Sequence, residues 1–259
     1  AFEGLGIGHH LVHGFKGGRT EKISSVESTE DMGRADQVLA DFSIAKIKEL
    51  ATKDEPFFLE HCFMKVHCDN FANPDLAGLS TSKYPYKDAI VEVDLHVGAL
   101  RAALEEAGVL ENTLIFFTSD NGPQMDAWPD AGYTPFRGAK GTTFEGGVRV
   151  PGIAYWKGMI APGRVSDDLF DLLDLFGTAL TIAGVSDDTL PDDRYYDFID
   201  QTSFLLHDEG RSQREAVYFW WGAELMACRM RQFKAHMKVV IPQATHKYID
   251  LATVTDVGL

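Results

Sequence analysis

With 259 residues, 45% of them hydrophobic and 24% charged, the chain is ordinary globular material, long enough for one sizeable core or for a large domain plus a small one. A formal net charge of -15 excludes general binding to nucleic acid or anionic membranes, because a long-range negative field repels phosphate groups; an anionic substrate needs a local cationic site. Cys62, Cys68 and Cys228 are too few and too irregularly spaced for a disulfide framework or a zinc pattern, and no apolar run approaches the roughly 18 residues of a membrane span.

In chain order, the segment Gly4 to Gly18 is rich in glycine and histidine and is expected to be irregular. His9 and His13 have a helical metal-ligand spacing, but the neighbouring glycines disfavour a helix, so a flexible surface segment is the expectation. A helix from about Ala35 to Leu50 would place Val38, Leu39, Phe42 and Ala45 on one face. "PFFLEHCF", Pro56 to Phe63, reads as a strand buried on both faces. Ile90, Val93, Val97, Leu100 and Leu104 form a helical apolar stripe that Gly108 can stop, and Leu114 to Thr118 gives a second buried strand ending in turn residues. Strand, helix, strand predicts a parallel pair with a crossover helix.

Farther on, Ser166 can cap a helix whose first turn carries Asp167 and Asp168 and whose core face carries Leu169, Leu172, Phe176, Leu180 and Ala183, with Gly184 closing it. "SDDTLPDDRYYDF" is acidic and turn-rich. Short strands follow, with Leu225, Ala227 and Arg229 alternating against Met226, Cys228 and Met230. A soft boundary between Pro191 and Ala216 divides an α/β part, 1–200, from a small antiparallel sheet region, 201–259.

Loops at the carboxyl ends of strands in an open α/β sheet are the usual place for ligands, and Asp120 and Asn121 stand there. A carboxylate beside an amide carbonyl offers two hard oxygen donors suited to Ca²⁺ or Mg²⁺; the same residues also suit a plain turn. "RGAKGTTFEGG" gathers Arg137, Lys140 and Arg149 around four glycines, so backbone amides and cationic heads can converge on an anion. The spacing differs from a phosphate-binding GxxxxGK[ST] loop. His67 follows the first buried strand and is a candidate to bind an anionic substrate or protonate a leaving oxygen. Trp128 is the aromatic best placed to line a pocket, whereas Trp220 and Trp221 are expected in the core.

These stretches, "PFFLEHCFMKVH", "TLIFFTSDNGP", "PFRGAKGTTFEGGVRVPG" and "LMACRMRQFKAHMKVV", resemble the sulfatase family, particularly its arylsulfatase branch within the alkaline-phosphatase-like metalloenzymes. The resemblance covers most of the chain from about Phe42. It implies a mixed, mainly parallel sheet flanked by helices, incomplete here, with a small carboxyl-terminal antiparallel sheet. Asp120 and Asn121 then match the later pair of calcium ligands, and Lys140 and His67 match a lysine and a histidine that contact the sulfate. In that family a hydrated formylglycine attacks sulfur and releases an alcohol.

Formylglycine is made from a C/S-x-P/A-x-R motif, and no such motif stands in this sequence; the family's early metal-binding aspartates are also unmatched. The expectation is a chain lacking the amino-terminal part of a sulfatase, with an incomplete calcium site, whose exposed sheet edges are covered by a second copy or a complementing chain. Family habit implies a periplasmic or secreted setting and a small-molecule sulfate ester as substrate. The alternatives are a catalytically inactive anion- or partner-binding relative, and a phosphate or phosphonate ester hydrolase on the same fold.

Overall fold

The computed structural model of the chain describes residues 9–240 and 248–250. It divides into two compact units, Ala1–Glu111 with Gln124–Tyr133 and Asn112–Pro123 with Thr134–Leu259.

In the first unit, β1 (His9–Gly14) and β2 (Thr20–Val26) form an antiparallel hairpin, so the glycine- and histidine-rich segment is a strand from His9 to Gly14, where irregular chain was expected, and a turn from Phe15 to Gly18. Its part before His9 lies outside the described residues. The ring of His13 packs on Phe15 and Phe42 at centroid distances of 4.0 and 4.8 Å, which gives the hairpin an apolar footing. A strand rather than a helix carries His9 and His13 about 13 Å apart. Among the described residues no group of three or more His, Cys, Asp or Glu gathers as a metal site.

Two long helices follow, α1 (Thr29–Leu50) and α2 (Pro85–Glu106). Ser28 caps α1 by accepting from Asp31 N–H at 3.1 Å, while the Asp31 carboxylate accepts from Ser28 Oγ at 2.8 Å, so the helix begins before the expected Ala35. The face it buries is Gly33, Asp36, Ala40, Ser43 and Ile47, not Val38, Leu39, Phe42 and Ala45. α2 buries Ala89, Glu92, His96 and Ala103 together with Leu104 of the expected apolar stripe, and leaves Ile90 of that stripe 40% exposed.

The reason is a buried charge cluster. Lys65 Nζ donates to Asp36 Oδ2 at 3.2 Å, Glu92 Oε1 at 3.1 Å and Gly33 O at 2.8 Å. Asp36 also accepts the backbone N–H groups of Met64 and Lys65, and Glu92 accepts from His96 Nε2 and Asn73 N–H. Burial pushes the Glu92 carboxyl up, but His96 and Lys65 outweigh it and hold it below its ordinary value of 4.5. A buried charge is tolerated only when paired in this way, and the pairing turns what patterning reads as a surface face into an interior one.

"PFFLEHCF" is not a strand, and Phe58 is 76% exposed. A strand exists by its ladder, and none of the described strands pairs with residues 56–63, so the expected parallel pair does not form. The carboxyl end of α2 is as expected: Gly108 has φ +74°, and Val109 N–H reaches back to Leu104 O at 3.0 Å. Gly108→Ala should lower stability by about 1 kcal/mol, because a Cβ disfavours that left-handed conformation, and should move a thermal melting midpoint down by about 2–4 °C.

In the second unit, β3 (Ile115–Thr118) is the expected strand, but its partner is β4 (Gly152–Tyr155) and the pairing is antiparallel. The short α3 (Glu145–Val148) lies between them in sequence. α4 (Leu172–Ile182) starts later than expected: Asp171, not Ser166, is the cap, accepting from Leu173 N–H at 3.0 Å. Gly184 closes it with φ +70°. The buried residues of α4 are Asp174, Gly177 and Thr178, while Leu172 and Phe176 stay exposed, again because a paired carboxylate faces inward.

After α5 (Thr202–Leu206) come β5 (Ala216–Trp221), β6 (Glu224–Met230) and β7 (Phe233–His236), a three-stranded antiparallel sheet in that order. The small carboxyl-terminal sheet is therefore present, within the second unit. The register shifts between Phe219 and Trp220, so that Met226 on β6 has no opposite residue. This bulge breaks the expected alternation: Met226 and Ala227 are consecutive and both fully buried. β8 (Lys238–Val240) pairs with β9 (Tyr248–Asp250).

Candidate functional site

Asp120 and Asn121 lie in the turn directly after β3, and glycines fasten this turn to the lysine-bearing loop. Gly122 N–H donates to Gly147 O at 3.0 Å, and Lys140 N–H donates to Pro123 O at 3.0 Å. A Cβ on Gly122 would stand 1.9 Å from Gly146 O, and one on Gly146 would stand 2.2 Å from Gly138 O. Gly122 thus leaves no room for a side chain between the turn and the backbone of "FEGG", and Gly146 in turn packs directly on the backbone of Gly138 within the loop.

Within the loop, Thr142 is buried and its Oγ1 donates to Ala139 O at 2.8 Å, while Thr143 Oγ1 lies 3.4 Å from His236 Nδ1 of β7. Glu145 receives Lys234 Nζ at 3.0 Å and also pairs with Arg229, so one carboxylate holds both β6 and β7 to the loop. Lys234 in turn sits 3.7 Å from the ring centroid of Phe219 on β5. Sequence reading missed this clamp, since Arg229 and Lys234 lie 84 and 89 residues away from Glu145.

The result is a cleft of about 330 Å³ lined by Asp120 and Asn121, by the Gly141–Thr143 segment with Gly147 and Val148, and by Tyr218 to Trp221. Asp120 is exposed, with Ser119 Oγ 3.4 Å from its Oδ1. Asn121 donates through Nδ2 to Gly122 O at 2.9 Å, which assigns its nitrogen to the protein and leaves the amide oxygen as the atom available for a hard cation. These two donors fit the chemistry of calcium but supply only part of the six to eight oxygens it takes.

Lys140 follows Ala139 immediately before the lining segment and is half-buried. Arg137 and Arg149 do not converge with it on an anion. The Arg137 guanidinium lies 4.2 Å from the centroid of Phe144, and that of Arg149 lies 4.6 Å from Phe136 and pairs with Asp167. Their cationic faces are engaged by aromatic rings and a carboxylate. His67 belongs to the first unit, where it is exposed and its Nδ1–H donates to Cys68 O. Thus Asp120, Asn121 and the Lys140 loop are brought together within one unit, and His67 is placed in the other.

The aromatic expectation is reversed. Trp128, 63% exposed, lies in the first unit and does not line this cleft, whereas Trp220, 59% exposed, does. β5 is an edge strand of a three-stranded sheet, so no further described strand covers its outer side. No helix among the described residues is long and apolar enough to cross a membrane.

Comparison with known proteins identifies the family. The chain is 38% identical over 187 residues to N-acetylgalactosamine-6-sulfatase of Mus musculus, covering 71% of this chain and 35% of that protein. It is 37% identical over 190 residues to arylsulfatase A of Homo sapiens, covering 71% and 36%. Among solved structures, the PsFucS1 sulfatase from Pseudoalteromonas sp. superposes with a TM-score of 0.88 at 48% identity, covering 93% of this chain and 49% of that one. The chain thus spans about a third of the length of these curated relatives, and it carries part of the alkaline-phosphatase-like α/β fold. The family model described as Sulfatase matches residues 10–185, more than half of the sequence, and the chain belongs to the sulfatase family.

Proposed function

We propose that this chain serves the hydrolysis of sulfate esters, with the cleft between the Asp120–Asn121 turn and the Gly141–Thr143 segment receiving the sulfate. The observation that carries this reading is the glycine-locked contact of the turn with the Lys140 loop, which presents two hard oxygens and a cation-bearing loop from a single rigid piece of backbone.

In this reading Asp120 and the amide oxygen of Asn121 hold a calcium ion, which when bound neutralises the charge of the ester's outer oxygens. Lys140 contacts the sulfate directly. Asp120 makes the metal a requirement: a bare carboxylate in the cleft repels a sulfate. A periplasmic or secreted setting belongs to the same reading. The names of the matched relatives span amino-sugar, steryl and aryl sulfatases, so the family leaves the alcohol open.

A second reading, anion binding without turnover, is favoured by one observation: no C/S-x-P/A-x-R motif stands in these residues to supply a nucleophile. Titration calorimetry with inorganic sulfate, with and without calcium, tests the site itself. Lys140→Ala and Asp120→Ala should each weaken binding by about 10-fold or more, the size of one charge-assisted contact. Affinity that ignores both substitutions and calcium would sink the assignment. Matched chromogenic aryl sulfate and aryl phosphate then separate the activities. Turnover of sulfate alone supports hydrolysis, absence of turnover with intact binding supports the second reading, and preferential turnover of phosphate would overturn sulfate specificity.

A further inference from the structure

We propose that the cleft takes up its anion together with a proton, and that His236 of β7 is the group that receives the proton. Resting on the sulfate-ester reading above, this adds a pH-linked control of affinity to the same cleft.

His236 stands one side chain behind the cleft. Its Nδ1 lies 3.4 Å from Oγ1 of Thr143, a residue that lines the cleft and is 7% exposed, and its ring packs at 4.5 Å on Phe144. Strand register settles which sheet face meets the loop. Phe219, Ala227 and His236 stand opposite one another across β5, β6 and β7, as do Val217, Arg229 and Lys234 two residues along, so all six share one face. From that face Arg229 and Lys234 reach Glu145, while His236 reaches Thr143. The strand that carries the imidazole is therefore pinned to the loop by its own Lys234, and a charge on His236 appears in the wall of the cleft.

The charges around this ring are unbalanced. Arg137 and Glu145 face it from the loop and Lys234 from its own strand, with Arg229 of β6 beside Lys234. The one carboxylate among these groups is already engaged at both oxygens, Oε1 by Lys234 and Oε2 by Arg229. Burial, Lys234 and Arg137 outweigh Glu145 and hold the imidazole below its ordinary value of 6.5. An anion on the far side of Thr143 supplies the missing negative charge and favours the protonated ring. By linkage, the proton then tightens the anion by the factor by which the anion tightens the proton. Affinity is thus flat above the ordinary imidazole range and rises as pH falls through it.

Calorimetric titration with inorganic sulfate at constant calcium, repeated in buffers of different ionisation enthalpy, counts the protons taken up per anion bound. The wild-type chain should take up a measurable fraction of a proton near about pH 6 and almost none near about pH 8, with affinity roughly 3- to 10-fold higher at the lower pH. His236→Gln keeps a polar side chain in place; it should bind as the wild type does at the higher pH and lose both the uptake and most of the rise. A purely structural role for His236 would shift affinity equally at both pH values. NMR titration of the wild-type imidazole requires no variant, and His236 should titrate at higher pH with sulfate than without.

Uptake that survives His236→Gln would overturn the proposal, and its disappearance in His67→Gln would assign the proton to the histidine of the first unit. A His236 titration unmoved by bound sulfate would overturn it as well. Failure of the underlying reading looks different: sulfate would then fail to bind, or its affinity would ignore Lys140→Ala and Asp120→Ala at every pH.

Discussion

Gly122→Ala is expected to destabilise the second unit by about 3 kcal/mol and to remove its response to calcium and sulfate together, because overpacking a closed contact costs in this range and the contact is the site's own hinge. The added Cβ would meet Gly146 O at 1.9 Å and Gly146 C at 2.9 Å, backbone atoms that cannot rotate away. Either the Asp120–Asn121 turn lifts off the loop or the loop carrying Lys140 shifts, and both separate the groups meant to act on one anion. Gly98→Ala supplies the control, since Gly98 lies within α2 with nothing near its missing Cβ. That substitution should stabilise by about 0.5–1 kcal/mol through helix propensity alone. Urea midpoints for the two variants, read beside calorimetric titration of calcium and sulfate, check both effects. A Gly122→Ala protein with unaltered midpoint and titration would show that the close contact is not needed.

Asp174→Ala should cost about 3–5 kcal/mol, the loss that follows from breaking a buried ion pair and stranding its partner. Arg214 grips the carboxylate with two nitrogens at 2.8 and 2.5 Å, and the backbone N–H groups of Asp171 and Ile199 donate to it at 3.0 and 2.8 Å. Both side chains are buried, at 0% exposure for Asp174 and 8% for Arg214. One residue thus joins the amino end of α4, the loop before α5 and the segment leading into β5. Arg214→Ala should cost a similar amount, and the double variant much less than the sum, because the two share one interaction.

The same pair predicts a pH dependence. Burial pushes the Asp174 carboxyl up, but the Arg214 and backbone hydrogen bonds outweigh it and hold it below its ordinary value of 3.8. A carboxyl depressed in the folded state contributes its full stability above the unfolded pKa and loses it as pH falls through the folded one. The wild-type midpoint should therefore drop below about pH 4. The Asp174→Ala protein should show a correspondingly smaller drop over that interval, and equal slopes for the two proteins would refute the linkage.

These two residues also mark how far the sequence could be read. Gly108 and Gly184 stop their helices where the apolar periodicity ends, and Ile115 to Thr118 of the predicted Leu114–Thr118 run is a strand, because such signals are local. The inward face of each helix is another matter. Asp36, Glu92 and Asp174 read as surface residues until Lys65 and Arg214 arrive from elsewhere in the chain to neutralise them, and these carboxylates then take the most buried places on α1, α2 and α4 while Ile90, Leu172 and Phe176 of the predicted stripes stay exposed. "PFFLEHCF" shows the same limit in a strand: its composition suits a ladder, but a ladder is made by neighbours. At the site, the oxygen pair and the lysine loop could be picked out by residue type. The loss of Arg137 and Arg149 to aromatic rings, the Glu145 clamp and the exposed Trp220 could not.

By itself, then, the sequence determined the family and the elements with strong local punctuation, and it supplied Asp120, Asn121 and Lys140 as the candidates on which the proposed site rests, because these depend on residue type and short spacing. Only the tertiary structure decided which helix faces are buried, how the strands pair and which aromatics line the cleft. Those outcomes turn on partners 25 to 90 residues apart, such as Arg214 for Asp174 and Lys234 for Glu145, whose charges cancel only once the chain has folded.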